Sequence, residues 1–422
     1  MTQEPGQHYV LPDQLCIGLY VFIDLSWLEH PFALSSFKIK TDEQLNILRS
    51  LGQSRYRYDP AKSDVLPPAA NPDPPPVIKA APGEHDAAIA AKKARLERLQ
   101  KARHAIVDCE KHLLSTSRIV KSLTRNLFAK PQESVKDANQ LMDLMLDSML
   151  TDKDVAIHLM SDKVAGEEVY QHSLNVAVLA MIVAKELDLP REQVRLLGLG
   201  ALFHDIGKVE VPERILYKTT PLTNAEREFL QQHVAYGLKL GKTIGLPAEV
   251  MTVIFQHHEY VNGTGYPKGA KGEALSMLSK IVCVANDYDN LCNRPNPADS
   301  LTPHEGLAQM FAQNRARYEP SALNVFIRCL GVYPPGTVVV LTNEVLGIVV
   351  SVNSSKPLRP CVLIYDPNVP KNEAVIVDLE EETDFTIARS IRPGQLPKPV
   401  FDYLNPRKRM TYFFGGTLGG DK

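Results

Sequence analysis

"HDIGKVEVPE", His204–Glu213, decides how this chain is read. A histidine and an aspartate stand side by side where the apolar run "LLGLGALF", residues 196–203, comes to an end. His204 follows Leu197 and Ala201 at helical spacing, so its side chain continues the apolar face and points inward. Neighbouring side chains on a helix diverge by about 100°. That is awkward for one small ion, but it suits a carboxylate shared between two metals.

Other residues repeat this pattern. Glu168 and His172 are four apart and share a face with Val169 and Val176, so both turn inward. His233 follows Phe229, and His257 and His258 follow Ile254 by three and four positions. Buried imidazole and carboxylate are costly unless paired or bound to metal. Any one of these histidines alone reads as a hydrogen-bonded core residue; together with Asp205 and Glu168 they read as a site for two or three divalent ions. Imidazole and carboxylate without thiolate suit Fe, Mn or Zn, with Fe or Mn the first expectation. A hydroxide bridging two such ions is a strong nucleophile at neutral pH, and a phosphoester is its usual electrophile. Lys208, one turn after His204, is placed to neutralise a phosphate oxygen.

The rest of the chain bounds what this site can serve. Its 422 residues, 44% hydrophobic and 23% charged, are enough for two or three domains with real cores. Lys and Arg total 47 against 49 Asp and Glu, so no global positive field argues for long nucleic acids. The six cysteines form no C-x-x-C pair and sit among apolar neighbours, which fits reduced thiols in the cytoplasm. The beginning lacks a signal-peptide pattern, and "LNVAVLAMIVA", residues 174–184, is far shorter than the ~20 residues of a membrane span.

The texture along the chain predicts a multi-domain, mainly α protein. Residues 1–60 alternate short apolar runs with turns and form a small N-terminal α/β module; residues 61–85 are a Pro-rich linker. Residues 86–130 form a long helix in which Leu99, Ile106, Leu113 and Val120 recur every seven positions, with Ala102, Cys109, Thr116 and Leu123 beside them. That seam leaves a connecting helix and a homodimeric coiled coil both open. Residues 131–330 are a central all-α helical bundle, with a capping box at Thr223 to Glu226. The β-branched runs "TVVVLTNEVLGIVVSV" and "AVIVDL" make residues 331–422 a small β-rich unit.

The pair His204-Asp205, the string "HHEYVNGTGYP" at 257–267, "LTNAEREFLQQH" and "NRPNP" together resemble the HD-GYP branch of the HD phosphohydrolases, over roughly residues 150–330. The stretch "LYVFIDLSWLEHPFALSSFKIK" is similar to a module of unknown role that often precedes such domains. The resemblance implies an HD-type bundle that hydrolyses cyclic di-GMP to pGpG and, in some members, on to GMP. It implies metal positions at Glu168, His172, His204, Asp205, His233, His257 and His258, with Lys208 on the scissile phosphate and Arg294 on a ligand phosphate. Gly265, Tyr266 and Pro267 would shape the edge of the site and contact diguanylate cyclase domains. Two positions depart from the pattern. The acid of "DGxGYP" is Asn262, and the late metal-binding Asp falls on Asn286, which can ligate through its amide oxygen but brings no charge. Asp287 and Asp289 compensate only if the helix rotates. The alternative is a catalytically weak module that binds cyclic di-GMP or docks partner signalling proteins.

Overall fold

In a computed structural model the described residues are 8–25, 30–32, 35–69, 107–123, 125–127, 129–151, 155–160, 168–353, 356–367, 369–371, 374–380, 382, 385–407 and 409–416. Most of the Pro-rich linker and the first part of the long helix lie outside them.

The N-terminal unit is a four-stranded antiparallel sheet with one helix. Strands β1 (His8–Val10), β2 (Tyr20–Phe22) and β3 (Ser36–Lys38) are followed by helix α1 (Asp42–Ser50) and β4 (Tyr56–Tyr58), in the sheet order β1-β4-β2-β3. Thr41 caps α1 by accepting from Gln44 N at 3.2 Å. Val10, Leu19, Val21, Ile39, Leu48 and Tyr56 close a small core of their own.

Helix α2 (107–123) carries the later part of the seven-residue repeat. Cys109, Leu113, Val120 and Leu123 belong to the main core of the same chain. The described part of that seam is therefore filled by the chain's own helices. Helix α3 (Pro131–Thr151) and a short strand β5 (Val155–Leu159) lead into α4 (Glu168–Glu186). From Leu174 to Ala184 nearly every side chain of α4 is buried, so this helix lies inside the bundle, not on its surface.

Against α4 pack α5 (Arg191–Phe203), α10 (Met277–Cys292) and α12 (Pro320–Leu330), and α9 (Ala248–Gln256) packs on α5 and α10. Helices α6 (Glu213–Leu216), α7 (Asn224–Gln231), α8 (His233–Thr243) and α11 (Pro303–Ala312) complete the bundle. The capping box at Thr223 forms: its hydroxyl accepts from Glu226 N, and the Glu226 carboxylate accepts from Thr223 N. Each fully buried Val or Leu of α4 contributes roughly 1.5–3 kcal/mol, so the helix is a rigid platform for polar residues at its ends.

Beyond the bundle come β6 (Val338–Leu341), β7 (Leu346–Asn353), β8 (Cys361–Ile364), β9 (Ile376–Asp378), β10 (Ile387–Ile391), helix α13 (Lys398–Leu404) and β11 (Tyr412–Gly416). Val339, Val349, Val362 and Val377 form the core of this unit. The sheet is antiparallel and runs β10-β6-β7-β5-β11, with β8 paired to β7 and β9 to β8. It therefore takes in β5, a strand from the helical region that the sequence pattern did not separate from its surroundings. The last strand, β11, pairs with β5 along its whole length and returns the chain end to the bundle. Among the described residues no helix is long and apolar enough to cross a membrane.

Candidate metal centre

Five helices of the bundle bring their ends or inner faces to one point. His172 lies on α4, His204 is the residue after α5, His233 opens α8, His257 follows α9, and Asn286 and Asp289 lie on α10. The question raised by adjacent His204 and Asp205 is settled by the backbone. After His204 the α-helix gives way to a 3-10 turn, Ile206–Glu210, and Asp205 sits between them at φ −101° and ψ 11°. This is the sparsely allowed bridge region found at many active sites, and here it turns both side chains toward one centre.

Asp205 divides the cluster into two groups. One carboxylate oxygen lies 3.3 Å from His204 Nε2 and 3.5 Å from His172 Nε2. The other lies 3.3 Å from His233 Nε2 and 3.7 Å from His257 Nε2. His258 joins the second group, and Asp205 is the residue common to both.

The hydrogen bonds on the far sides of the rings fix which nitrogen can bind a cation. His204 Nδ1 donates to Ala201 O at 2.7 Å, His233 Nδ1 to Leu230 O at 2.6 Å, and His257 Nδ1 to Ile254 O at 2.8 Å. His172 Nδ1 faces Asp289 Oδ2 at 2.6 Å. Carbonyl and carboxylate oxygens only accept, so in the neutral rings each Nε2 carries a lone pair. Yet His172 Nε2 and His204 Nε2 are 3.2 Å apart, as are His233 Nε2 and His257 Nε2. Two facing pairs of lone pairs, each against its own oxygen of Asp205, the one toward His233 and His257 buried without a hydrogen-bond donor among the described residues, fit cations held between them.

The electrostatics agree. Burial opposes ionisation of Asp205, but His204, Lys208 and His233 together hold its carboxyl well below the usual carboxylate range. Burial keeps His257 and His258 well below the ordinary imidazole value, and lowers His233 as well, so these rings are neutral and able to ligate. Lys208 Nζ lies 2.5 Å from Asp205 Oδ2, so its partly exposed side chain reaches into the centre.

The loop that carries the Gly-Tyr-Pro string forms one wall. Tyr266 stacks on His258 with ring centroids 4.5 Å apart. A side chain at Gly265 would stand 2.3 Å from His258 O and 2.5 Å from Tyr260 N, so only glycine lets the loop lie this close. The buried Glu259 carboxylate accepts from Lys268 N at 2.6 Å and Ala270 N at 3.0 Å, which ties the loop to the histidine pair. Glu259 was not singled out by sequence reasoning, although it is the third residue of the "HHE" string. Asn262, where the family has an acid, accepts from Thr264 N and Thr264 Oγ1 and closes a tight turn.

The remaining expected residues fare differently. Asn286 Oδ1 lies 3.0 Å from His172 Nε2 and accepts from Asn290 Nδ2 at 2.9 Å, while its own amide nitrogen is buried without a partner. Neither neighbouring acid takes its place. Asp287 accepts from Tyr318 at 2.9 Å, and burial pushes its carboxyl up to about 6 against that bond; Asp289 serves the far side of His172. Arg294 follows α10, its backbone N donating to Ser300 Oγ, and its guanidinium makes no hydrogen bond or ion pair among the described residues. Glu168 begins α4, and its side chain lies outside the described ones.

Asn286→Asp is expected to strengthen binding of a divalent ion at the His172–His204 group by roughly tenfold, about 1.4 kcal/mol, since it adds one negative charge at a buried position beside His172 Nε2. Anaerobic titration with Mn(II) against a competing chelator checks this, and an unchanged affinity would show that position 286 does not face the ion.

Helix ends that present histidines and one shared aspartate to a common point define a class of metal-binding helical domain. Residues 144–322 match the family model described as the HD domain, and the "HHE" and Gly-Tyr-Pro strings inside that match make the region similar to the HD-GYP branch of that family. Residues 10–138 match a domain of unknown function, and residues 338–398 a KOW domain associated with the HD domain. The chain is 29% identical over 355 residues to a cyclic di-GMP phosphodiesterase of Pseudomonas aeruginosa, which covers 83% of each protein. It is 31% identical over 151 residues to the cyclic di-GMP phosphodiesterase response regulator RpfG of Xanthomonas campestris, 35% of this chain and 40% of that protein. It is also 36% identical over 122 residues to a 3'3'-cGAMP-specific phosphodiesterase of Vibrio cholerae, 29% of this chain and 28% of that one.

Proposed function

We propose that the protein is a metal-dependent phosphodiesterase that hydrolyses cyclic di-GMP to pGpG. The observation that carries the reading is the placement of Asp205, with one oxygen toward each of two histidine groups. His172, His204, Asp205 and Asn286 would hold one divalent ion and Asp205, His233, His257 and His258 a second, with Glu168 reserved for a third. Fe or Mn suits this donor set. When bound, such ions supply Lewis acidity toward a phosphoryl oxygen and activate water at neutral pH.

The chain's own groups do the rest. The Lys208 ammonium, beside Asp205, neutralises charge that develops on the phosphoryl oxygens. The unpartnered Arg294 guanidinium offers a two-pronged donor to a second phosphate. Tyr266, stacked on His258, keeps water from that side, and Gly265, Tyr266 and Pro267 form a rim that a diguanylate cyclase domain would engage. Substrate of this kind belongs to the cytoplasm.

Metal-loaded protein incubated anaerobically with cyclic di-GMP, 3'3'-cGAMP and pGpG in separate reactions tests the proposal. Cyclic di-GMP should be consumed fastest, and chelation should stop the reaction. A second reading, a nucleotide receptor, is favoured by the uncharged Asn286. Bound metal and bound cyclic di-GMP without any product would establish it in place of the enzyme.

A further inference from the structure

The outer contacts of His172 reach the far end of the chain. Asp289 Oδ2 is 2.6 Å from His172 Nδ1, and its other oxygen accepts from Asn175 Nδ2 and from Asn293 Nδ2, each at 2.8 Å. The same two amide nitrogens also donate to the Met410 carbonyl, again at 2.8 Å. Both hydrogens of each amide are thus used. The amide oxygens close the network: Asn293 Oδ1 accepts from Met410 N at 2.7 Å and Asn175 Oδ1 from Tyr412 N at 3.1 Å. Asn175 and Asp289 are each 1% exposed, so water does not replace a lost partner.

We infer that Met410–Tyr412, the entry to β11, is a structural arm of the metal centre, and that Asn175 and Asn293 are positioning residues that hold Asp289 and, through it, the ligand His172. This rests on reading His172 as a metal ligand. A carboxylate on the far nitrogen fixes the tautomer and ring plane of a ligating histidine and raises its basicity. Here that carboxylate is itself oriented by two donors, and both are locked by a main chain that follows the C-terminal β unit. Ordering of the last strand and ordering of one metal ligand are therefore one event. Sequence alone gives no sign of it, because Asn175 and Met410 stand 235 positions apart.

Anaerobic Mn(II) titration of the full chain, with bound metal counted by mass spectrometry, tests the inference. Asn293→Ala, at the half-buried end of α10, and Asn175→Ala should each weaken one ion by about ten- to a hundredfold and leave the other at wild-type affinity. Tyr288→Phe is the control: it removes the 3.3 Å contact of Tyr288 with the Tyr412 hydroxyl without touching Asp289, and both ions should remain. If Asn175→Ala fails to fold, Asn293→Ala decides alone. Wild-type affinity for both ions in Asn293→Ala, equal loss of both, or the same selective loss in Tyr288→Phe would overturn the inference. A wild-type protein that binds two ions and hydrolyses no cyclic dinucleotide overturns the phosphodiesterase and leaves the arm in place.

Discussion

Asp205→Ala is expected to lose both ions and to lower turnover by roughly 10³-fold or more, about 4 kcal/mol of transition-state stabilisation. The size of the effect follows from a shared ligand. Among the described residues Asp205 alone belongs to both groups, with one oxygen toward His172 and His204 and the other toward His233 and His257. Removing it takes charge from two cations at once and leaves Lys208 without its 2.5 Å partner. Metal content and kcat of the purified variant, with circular dichroism to confirm folding, check the expectation. A variant that keeps full turnover would remove Asp205 from the mechanism.

Gly207→Ala is expected to be nearly as damaging, although Gly207 binds nothing. A β-carbon there would stand 1.9 Å from His233 O and 2.4 Å from Gly237 N, both in the backbone of α8. No side chain can rotate out of the way, so α8 must move. Overpacking of this kind costs typically 1–3 kcal/mol, and the backbone contact puts this case at about 3 kcal/mol. Because His233 is the first residue of α8, the shift also pulls its Nε2 from Asp205, and a displacement near 1 Å costs about 10²-fold in rate. The variant should melt earlier and retain fewer ions than wild type. Gly394→Ala, with open space around it, should stay within about 0.5 kcal/mol and serves as the comparison. Equal melting and metal content in the two variants would show that the contact of the 3-10 turn with α8 does not position His233.

Much of this architecture was legible because local spacing maps onto helix faces. His204, His233 and His257 each end an apolar face in the sequence, and each lies at a helix boundary in the structure. The β-branched runs after residue 337 likewise became strands, since such residues pack well on a pleated surface. What stayed hidden depends on partners distant in sequence. Strand β5 is five residues long and becomes a strand by pairing with β7 and β11, the latter about 250 positions away. A short apolar run carries no mark of such a partner.

Asp289 shows a subtler limit. Its place on α10 relative to Asn286 follows from helical periodicity, which lets it compensate for Asn286 only if the helix rotates. Which nitrogen of His172 it meets is set by how α10 packs against α4, and the structure gives it Nδ1. Asp287, the other acid considered, turns toward Tyr318 instead. Asn262 looked like a lost acid and proves to be a turn former for Thr264. In each case the sequence identifies the residue type and face, while tertiary packing decides the contact.

The most direct test of the account is the number of ions that the protein holds. Full-length protein loaded anaerobically with Fe(II) or Mn(II), freed of excess metal and analysed by mass spectrometry, should carry at least two ions per chain. One ion per chain or fewer would contradict the assignment of Asp205 as a bridge between two metal positions.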